Sequence, residues 1–399
     1  MTTDEAVRAF PFGPAEALDL HPTFGHLRDT EPVSRIRLPY GGVGWLITRY
    51  ADAKLVMTDA RFSRAAAVGA DIPRLSPEPG GAASMVLMDP PEHTRVRRLV
   101  SKAFTPRRVE EITPRVEQMA DELLDDMIRS GPPADLMEAY ALPLPVMVIC
   151  ELLGVPFADR DRFREWSTVV MSTTAYTPEE VDHALTEFSE YLWEQIDDRR
   201  ENPRDDLLGA LVSARDEGNR LSDAELVTIA GTLLVAGHQN TVNQIANFTY
   251  TLLERPGLLH RVRTEPGLLL PAIEELLRFV ALGHGVSFAR VATEDVELSG
   301  VVIPAGDAVL VSPQTANRDP AYFEDPEELR LDRPDNLHMA FGAGMHHCLG
   351  APLARMELRV AFDRLLAKLP GLRLAVPAQE VQWKKGLLAR GPIALPVAW

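Results

Sequence analysis

The chain is short of cysteines, of long apolar runs and of basic residues, and each shortage closes a class of explanation. Two cysteines, Cys150 and Cys348, in 399 residues cannot build a disulfide framework. No apolar stretch approaches the ~20 residues that a membrane-spanning helix needs. Basic residues number 41 against 58 acidic ones, a net charge of −17. That balance argues against nucleic acid or an anionic membrane as a partner of the surface as a whole. The opening MTTDEAVRAFPFGP has early acids and no apolar core, so no signal peptide is expected and the protein is read as cytoplasmic. Tandem repeats, low-complexity tracts and linkers are also missing, so a single domain over 1–399 is expected. With 46% hydrophobic and 25% charged residues the composition is that of an ordinary globular protein.

What is present is helical periodicity. Residues 108–130, 180–199 and 206–215 repeat apolar positions every three or four residues, the spacing of one helix face. Ser222 and Glu225 stand in the order of a capping box. The helix they open should run past Tyr250, about 30 residues or ~45 Å at 1.5 Å per residue. Apolar nearly all round, it belongs in the interior. Strand signals are short: SRIRLP, GWLITR, VELSGVVIPAGDAVLVS and RGPIALPVAW alternate and end at turn residues. The proline-rich segments 72–79 and 132–145 read as loops, and YGGVG at 40–44 as a hairpin turn. The fold class is mainly α with small β-sheets (α+β).

Inside the long helix, the carboxamides of Gln239, Asn240, Asn243, Gln244 and Asn247 interrupt an apolar run. Asn is a poor helix former, and a buried unpaired amide costs about 1–3 kcal/mol. These groups should have partners or face water. Cys150, in LPVMVICELLGV, reads as a buried core thiol. Cys348 differs: it lies in FGAGMHHCLG, a glycine-rich loop ahead of the helical APLARMELRVAFDRLL. At a helix N-terminus backbone N–H groups favour thiolate, which is a nucleophile or a metal ligand. A zinc site from His346, His347 and Cys348 is the rival, but three successive residues rarely converge on one tetrahedral ion. Elsewhere His93 and Arg97 are four apart on one helix face, and Glu275 and Arg278 form an i,i+3 acid–base pair.

Taken together, these segments resemble the bacterial cytochromes P450, the haem-thiolate monooxygenases, over nearly the whole chain. Phe341, Gly342, Gly344, His346, Cys348 and Gly350 match the family's Phe-Gly-x-Gly-x-His-x-Cys-x-Gly loop. Glu275 and Arg278 match its Glu-x-x-Arg, and Arg333 in LDRPDN the third member of that charge network. HTRVRR and FARVATEDVEL match the segments that bind the haem propionates, and ANRDP a further family segment. The resemblance implies a cytochrome P450 fold with the long central helix over haem b (iron protoporphyrin IX). It implies Cys348 as the proximal thiolate ligand, whose electron density favours O–O cleavage. His93, Arg97, Arg290 and His346 are implied as propionate partners, and Glu275, Arg278 and Arg333 as structural.

One motif departs from the family. Its distal helix usually reads Ala-Gly-x-(Asp/Glu)-Thr-Thr, whose acid and alcohol relay protons during oxygen reduction. Here Ala236, Gly237 and His238 fit, Gln239 replaces the acid, Asn240 replaces the alcohol, and Thr241 fits only the second Thr. These three, Gln239, Asn240 and Thr241, are the candidate catalytic residues. An amide positions water but has no accessible pKa with which to shuttle a proton. Substrate or ordered water could supply the relay; peroxide could be the oxidant; or hydrogen abstraction could end in coupling of two aromatic centres. Drift toward weakened ordinary hydroxylation is the fourth reading.

Segment 62–88 is expected to cap the substrate pocket, with Phe62, Ala65, Met85, Val86 and Met88 as candidates, joined by Leu234, Ala236, Val286, Ser287 and Phe288. The small residues there imply room for a bulky apolar or aromatic molecule. Arg95, Arg98, Lys102, Arg107, Arg108, Arg355 and Arg359 form an expected basic patch on an acidic protein, suited to an acidic ferredoxin. No flavin or nicotinamide domain is seen, so electrons should come from a separate ferredoxin and ferredoxin reductase. The expected activity is oxidation of a natural-product intermediate with O2, by hydroxylation or by oxidative C–C or C–N coupling, for example of tryptophan-containing cyclic dipeptides. Macrolide, terpenoid or steroid hydroxylation is the alternative within the class, and a non-catalytic haem ligand-binding protein the alternative outside it.

Overall fold

The computed structural model describes residues 7–13, 17–75, 84–101, 104–216 and 221–399. The chain folds as two compact units built from separated segments. Unit 1 takes residues 1–82, 86–91 and 274–348, and unit 2 takes 83–85, 92–273 and 349–399.

Unit 1 carries a six-stranded mixed sheet in the order Arg8–Ala9, Val33–Arg37, Val43–Ile47, Ala308–Val311, Arg290–Ala292, Phe62–Ser63. The YGGVG turn joins the second and third of these: Gly41 and Gly42 take φ of 70° and 83°, which side-chain-bearing residues resist. A Cβ on Gly41 would also lie 1.8 Å from the Ile72 carbonyl oxygen. Register sets Trp45 opposite Arg35 on one side and Val309 on the other. Successive side chains leave opposite faces of a strand, and two cores result. Val33, Trp45, Ile47, Val309 and Val311 pack with Val56 and Phe62. Ile36, Leu46 and Leu310 pack with Phe10, Phe24 and Leu27. Each such side chain contributes about 1.5–3 kcal/mol by burial.

Unit 2 is mostly helical. Its longest helix, Asp223–Leu253, has 31 residues and opens with the capping box: Glu225 N–H donates to Ser222 Oγ at 3.2 Å, and Ser222 N–H to Glu225 Oε2 at 2.7 Å. From Thr241 to Leu252 every residue is buried. Gly237 sits mid-helix because a Cβ there would come 2.6 Å from Ile149 Cδ1. Close approach of the helix Pro143–Leu153 outweighs the ~1 kcal/mol propensity cost. Helix Ala351–Lys368 is tied to Pro106–Ser130 by Arg364–Glu117 at 2.9 Å and Lys368–Asp125 at 2.6 Å. No helix among the described residues is long and apolar enough to cross a membrane.

The segment 132–145 is more ordered than a loop. Ala134–Asp135 pairs with Pro396–Ala398, a π-turn spans Met137–Ala141, and a helix starts at Pro143. Proline is tolerated in a first helical turn, where its missing N–H would have no partner. Of segment 72–79, residues 76–79 lie outside the described residues, as does Lys102. Near the C-terminus, Trp383 and Pro392 bridge across a hairpin. Its Gly386 carbonyl accepts from the N–H groups of Thr173, Thr174 and Ala175 at 2.7, 3.1 and 3.1 Å.

Candidate functional site

The segment 341–348 of unit 1 presents the thiol. Gly342 and Gly344 have φ of 72° and 69°, and a Cβ on Gly344 would lie 2.7 Å from the Met57 carbonyl oxygen. His347 N–H donates to Gly344 O at 3.0 Å and Cys348 N–H to Phe341 O at 2.8 Å, leaving the Cys348 side chain exposed. Cys348 is not in the first helical turn: the helix begins at Ala351 with Gly350 as N-cap. The macrodipole fades within a turn, so the loop's own hydrogen bonds fix the thiol's position. Among the described residues no three His, Cys, Asp or Glu side chains cluster as metal ligands.

Glu275, fully buried, is the hub of the neighbouring charge network. Arg278 grips it through Nε at 2.7 Å and Nη2 at 2.8 Å. Arg333 Nε reaches both carboxylate oxygens at 3.2 and 3.1 Å, and Arg330 N–H and Asn336 Nδ2 add bonds of 2.9 and 3.1 Å. The remaining guanidinium hydrogens go to carbonyls: Arg278 to Asn317, Pro326 and Glu328, and Arg333 to Asp325 and Glu328. A buried carboxylate between two guanidiniums is tolerable only with its lone pairs filled in this way. Its product is a pinned 317–333 segment leading into the thiol loop.

Arg290, on the strand Arg290–Ala292, is 2% exposed and its Nη1 has no hydrogen-bond partner. Beside it lies Arg64, 9% exposed, which the sequence did not single out. Burial pushes Arg290 down to about 10 and, with the Arg290 charge adding to the effect, Arg64 down to about 9; Asp89 opposes both shifts. A buried guanidinium with an unfilled donor suits a carboxylate, so unit 1 fits a cofactor that brings one, as haem brings propionates. The exposed thiol of Cys348 fits its iron.

The pocket candidates divide. Phe62 is not lining but core, packed with Trp45 and Ala292. Met88 is also buried. Ser287 ties the sheet, its N–H donating to Val311 O at 2.8 Å and its Oγ accepting from Val311 N at 3.3 Å. Val286 is half-buried against the Phe10 and Phe24 core. Met85 and Val86 are half-buried in the turn Met85–Leu87, Ala65 is exposed, and Phe288 is 59% exposed.

In unit 2, His93 is buried on the helix Glu92–Ser101, with Arg97 one turn on. Of the amides of the long helix, those of Gln239, Asn243 and Asn247 donate to partners, whereas Gln244 Oε1 and Asn247 Oδ1 are buried without one. His238 Nδ1 sits 2.6 Å from Leu234 O, an acceptor only, so Nδ1 carries the hydrogen and Nε2 accepts from Ser167 Oγ at 3.0 Å. Ser167 Oγ in turn accepts from Gln239 Nε2 at 2.7 Å. Burial holds His238 down to about 4 and so neutral near pH 7; the bond to the Leu234 carbonyl opposes the shift. Asn243 Nδ2 donates to Gln239 O at 2.7 Å and its Oδ1 accepts from Lys384 Nζ at 3.0 Å. Burial, reinforced by the Arg164 charge, lowers Lys384 to about 8, against the pull of Glu138. Asn247 donates to Arg390 O at 3.1 Å.

The three catalytic candidates therefore part company. Gln239 and Thr241 are buried, the first with its amide committed to Ser167, whereas Asn240 is exposed, as is Ala236 one turn earlier. Leu234 is 1% exposed core, not pocket wall. Ser167 and Lys384 escaped the sequence reading because 71 and 141 residues separate them from their partners and neither lies in a motif. The expected basic patch is thinner than its sequence. Arg95 pairs with Glu225, Arg107 with Glu111 at 2.9 Å, and Arg108 with Glu111 and Asp205 at 3.7 Å each. Neighbouring acids offset those cations; Arg98 stays exposed.

The family model described as Cytochrome P450 matches residues 167–370. Nocardicin C N-oxygenase from Nocardia uniformis subsp. tsuyamanensis is 52% identical over 393 residues, covering 98% of each chain. Mycinamicin IV hydroxylase/epoxidase from Micromonospora griseorubida is 51% identical over all of both chains. The crystal structure of cytochrome P450mel 107F1 with biaryl coupling reactivity superposes with a TM-score of 0.96 at 48% identity, covering 99% of this chain and 100% of that one.

Proposed function

The chain belongs to the cytochrome P450 family of haem-dependent oxidoreductases, and from that premise we propose that it tailors a bulky, aromatic natural-product intermediate by oxidative coupling. When bound, haem supplies the activation of dioxygen that the family uses. In this reading Cys348 is the ligand to its iron, and His93, Arg97, Arg290 and His346 hold its propionates.

The observation that carries the coupling reading is the state of the long helix. Asn240 is its exposed polar group where the family keeps an alcohol, and Gln239, at the acid's position, is bonded to Ser167. Neither amide titrates, so Asn240 orients water or substrate while a proton must come from one of those. His238 does not substitute, since burial keeps it neutral and Ser167 occupies its Nε2. A substrate N–H or O–H is a proton source in its own right, which favours aromatic substrates such as tryptophan-containing cyclic dipeptides. The relatives' named chemistries, N-oxygenation, hydroxylation/epoxidation and biaryl coupling, support an oxidative tailoring role.

Coupling balances as follows. Two substrate molecules each lose one hydrogen and share a new C–C or C–N bond. Dioxygen takes two electrons from reduced ferredoxin, two protons from water, and two electrons with two protons from the substrates, and leaves as two waters. Mass spectra of turnovers containing a tryptophan cyclic dipeptide, a ferredoxin and its reductase test this. A dimer of twice the substrate mass less two hydrogens is expected. Products heavier by one oxygen, with no dimer, overturn coupling in favour of hydroxylation.

A further inference from the structure

Two of the buried guanidiniums of unit 1, Arg64 and Arg290, lie apart from the Glu275 network and have too little negative charge to match them. Arg64 follows the strand Phe62–Ser63 and is 9% exposed; Arg290 is 2% exposed. Arg64 Nη1 donates to Val86 O at 2.8 Å, and its Cζ stands 5.7 Å from the centroid of the Phe288 ring. Its Nε, and Nη1 of Arg290, are buried without a hydrogen-bond partner. Asp89 is the carboxylate that both arginines feel, yet its oxygens already accept from Ser63 Oγ, from Arg64 N–H at 3.1 Å and from Ala65 N–H at 3.3 Å. Asp89 therefore shapes the turn that carries Arg64 and offsets one of two positive charges.

One cation is left over, in a place where uncompensated charge is costly and where guanidinium donors go unfilled. The cure is an anion that presents oxygens to both side chains. A carboxylate does so best, because the planar guanidinium fork matches its geometry. We propose that Arg64 joins Arg290 as a two-guanidinium clamp on one haem propionate, making Arg64 a cofactor-positioning residue outside the family's motifs. This deepens the haem-enzyme reading and rests on it. Phe288 supports the arrangement by offering its ring to the Arg64 cation, a contact worth more in a desolvated setting than at the surface.

The test uses purified haem-loaded protein and the variants Arg64→Gln and Arg64→Lys. Haem transfer to excess apomyoglobin and the midpoint potential of the iron are read for each. Losing a charge-assisted contact should speed transfer about tenfold or more in Arg64→Gln. It should also lower the potential, since a positive charge near the propionate favours the reduced state. Arg64→Lys, which keeps the charge without the fork, should fall between. Should Arg64→Gln fail to fold, Arg64→Lys is read alone, and wild-type values there overturn the clamp. Unchanged transfer and potential with a lowered melting temperature would make Arg64 a structural peg for Val86 instead. Unchanged transfer with lost binding of indole-3-propionate, but not of its neutral amide, would assign the anion to substrate and also refute the proposal. A wild-type protein that takes up no haem at all would sink the underlying reading, which is a separate outcome.

Discussion

Two buried groups of unit 2, His238 and Glu357, make stability depend on pH with opposite signs, so replacing either one should reveal the slope of the other. Burial holds His238 down to about 4, whereas an unfolded histidine titrates near 6.5. Between those values the unfolded chain binds a proton that the folded chain refuses. Stability contributed by neutral His238 is complete above the unfolded value and is lost as pH falls toward 4. The slope is about 1.4 kcal/mol per pH unit, so the whole interval is worth about 3 kcal/mol. Glu357, on the helix Ala351–Lys368, has the opposite sign. It is 1% exposed, its Oε2 has no partner, and burial raises its pKa well above 4.5. The folded chain then keeps a proton that the unfolded chain releases, so stability falls as pH rises above 4.5. Above 4.5 the two slopes oppose each other, so urea unfolding at half-unit pH intervals should place the wild-type pH dependence between those of the two single variants. His238→Gln should lose stability as pH rises above 4.5, and Glu357→Gln should gain it by about 1.4 kcal/mol per unit up to about 6.5. The double variant should be flat again. Single variants with pH profiles parallel to the wild type would refute the reasoning.

Glu275→Gln removes the charge that both Arg278 and Arg333 face, and breaking a buried pair on one side costs about 3–5 kcal/mol. Differential scanning calorimetry should show the loss, and a melting temperature within a degree of wild type would contradict the hub role. Cys348→Ser removes the proposed iron ligand. The long-wavelength absorption band that reduced family members give with carbon monoxide should vanish, and its survival would mean that Cys348 is not the ligand.

Much of this was legible from sequence because the informative signals are local. A capping box and an apolar run predict the helix Asp223–Leu253. Glycines that accept positive φ predict the turns at Gly41 and around Cys348. Family motifs mark Glu275, Arg278 and Arg290 by their spacing. What stayed hidden depends on contacts between distant segments. Gln239 and Thr241 look like Asn240 in a string of letters, but three adjacent helical positions point about 100° apart, and only the middle one is exposed. Phe62 looks like a pocket residue until its strand joins a sheet with a core beneath it. Arg64 lies in an unremarkable alanine-rich stretch, and its burial becomes visible only once Val86 and Asp89 fold back on it. The division into two units near 82–92, 273 and 348 falls partly in segments the sequence marks as loops, the glycine-rich stretch around Cys348 among them.

The interleaving of those units has a consequence for synthesis on the ribosome. In the finished sheet, Val43–Ile47 pairs with Ala308–Val311, which supplies its second neighbour. Between the early segment of unit 1, ending at Pro91, and the later one, starting at Glu274, the ribosome must make residues 92–273. At about 5–20 residues per second that is a wait of roughly 10–40 s. Throughout it the nascent hairpin 33–47 shows an open strand edge and the apolar side chains of Ile36, Leu46 and Ile47. The rate of translation, and the chaperones at hand during that interval, should govern how much of this enzyme reaches its native state.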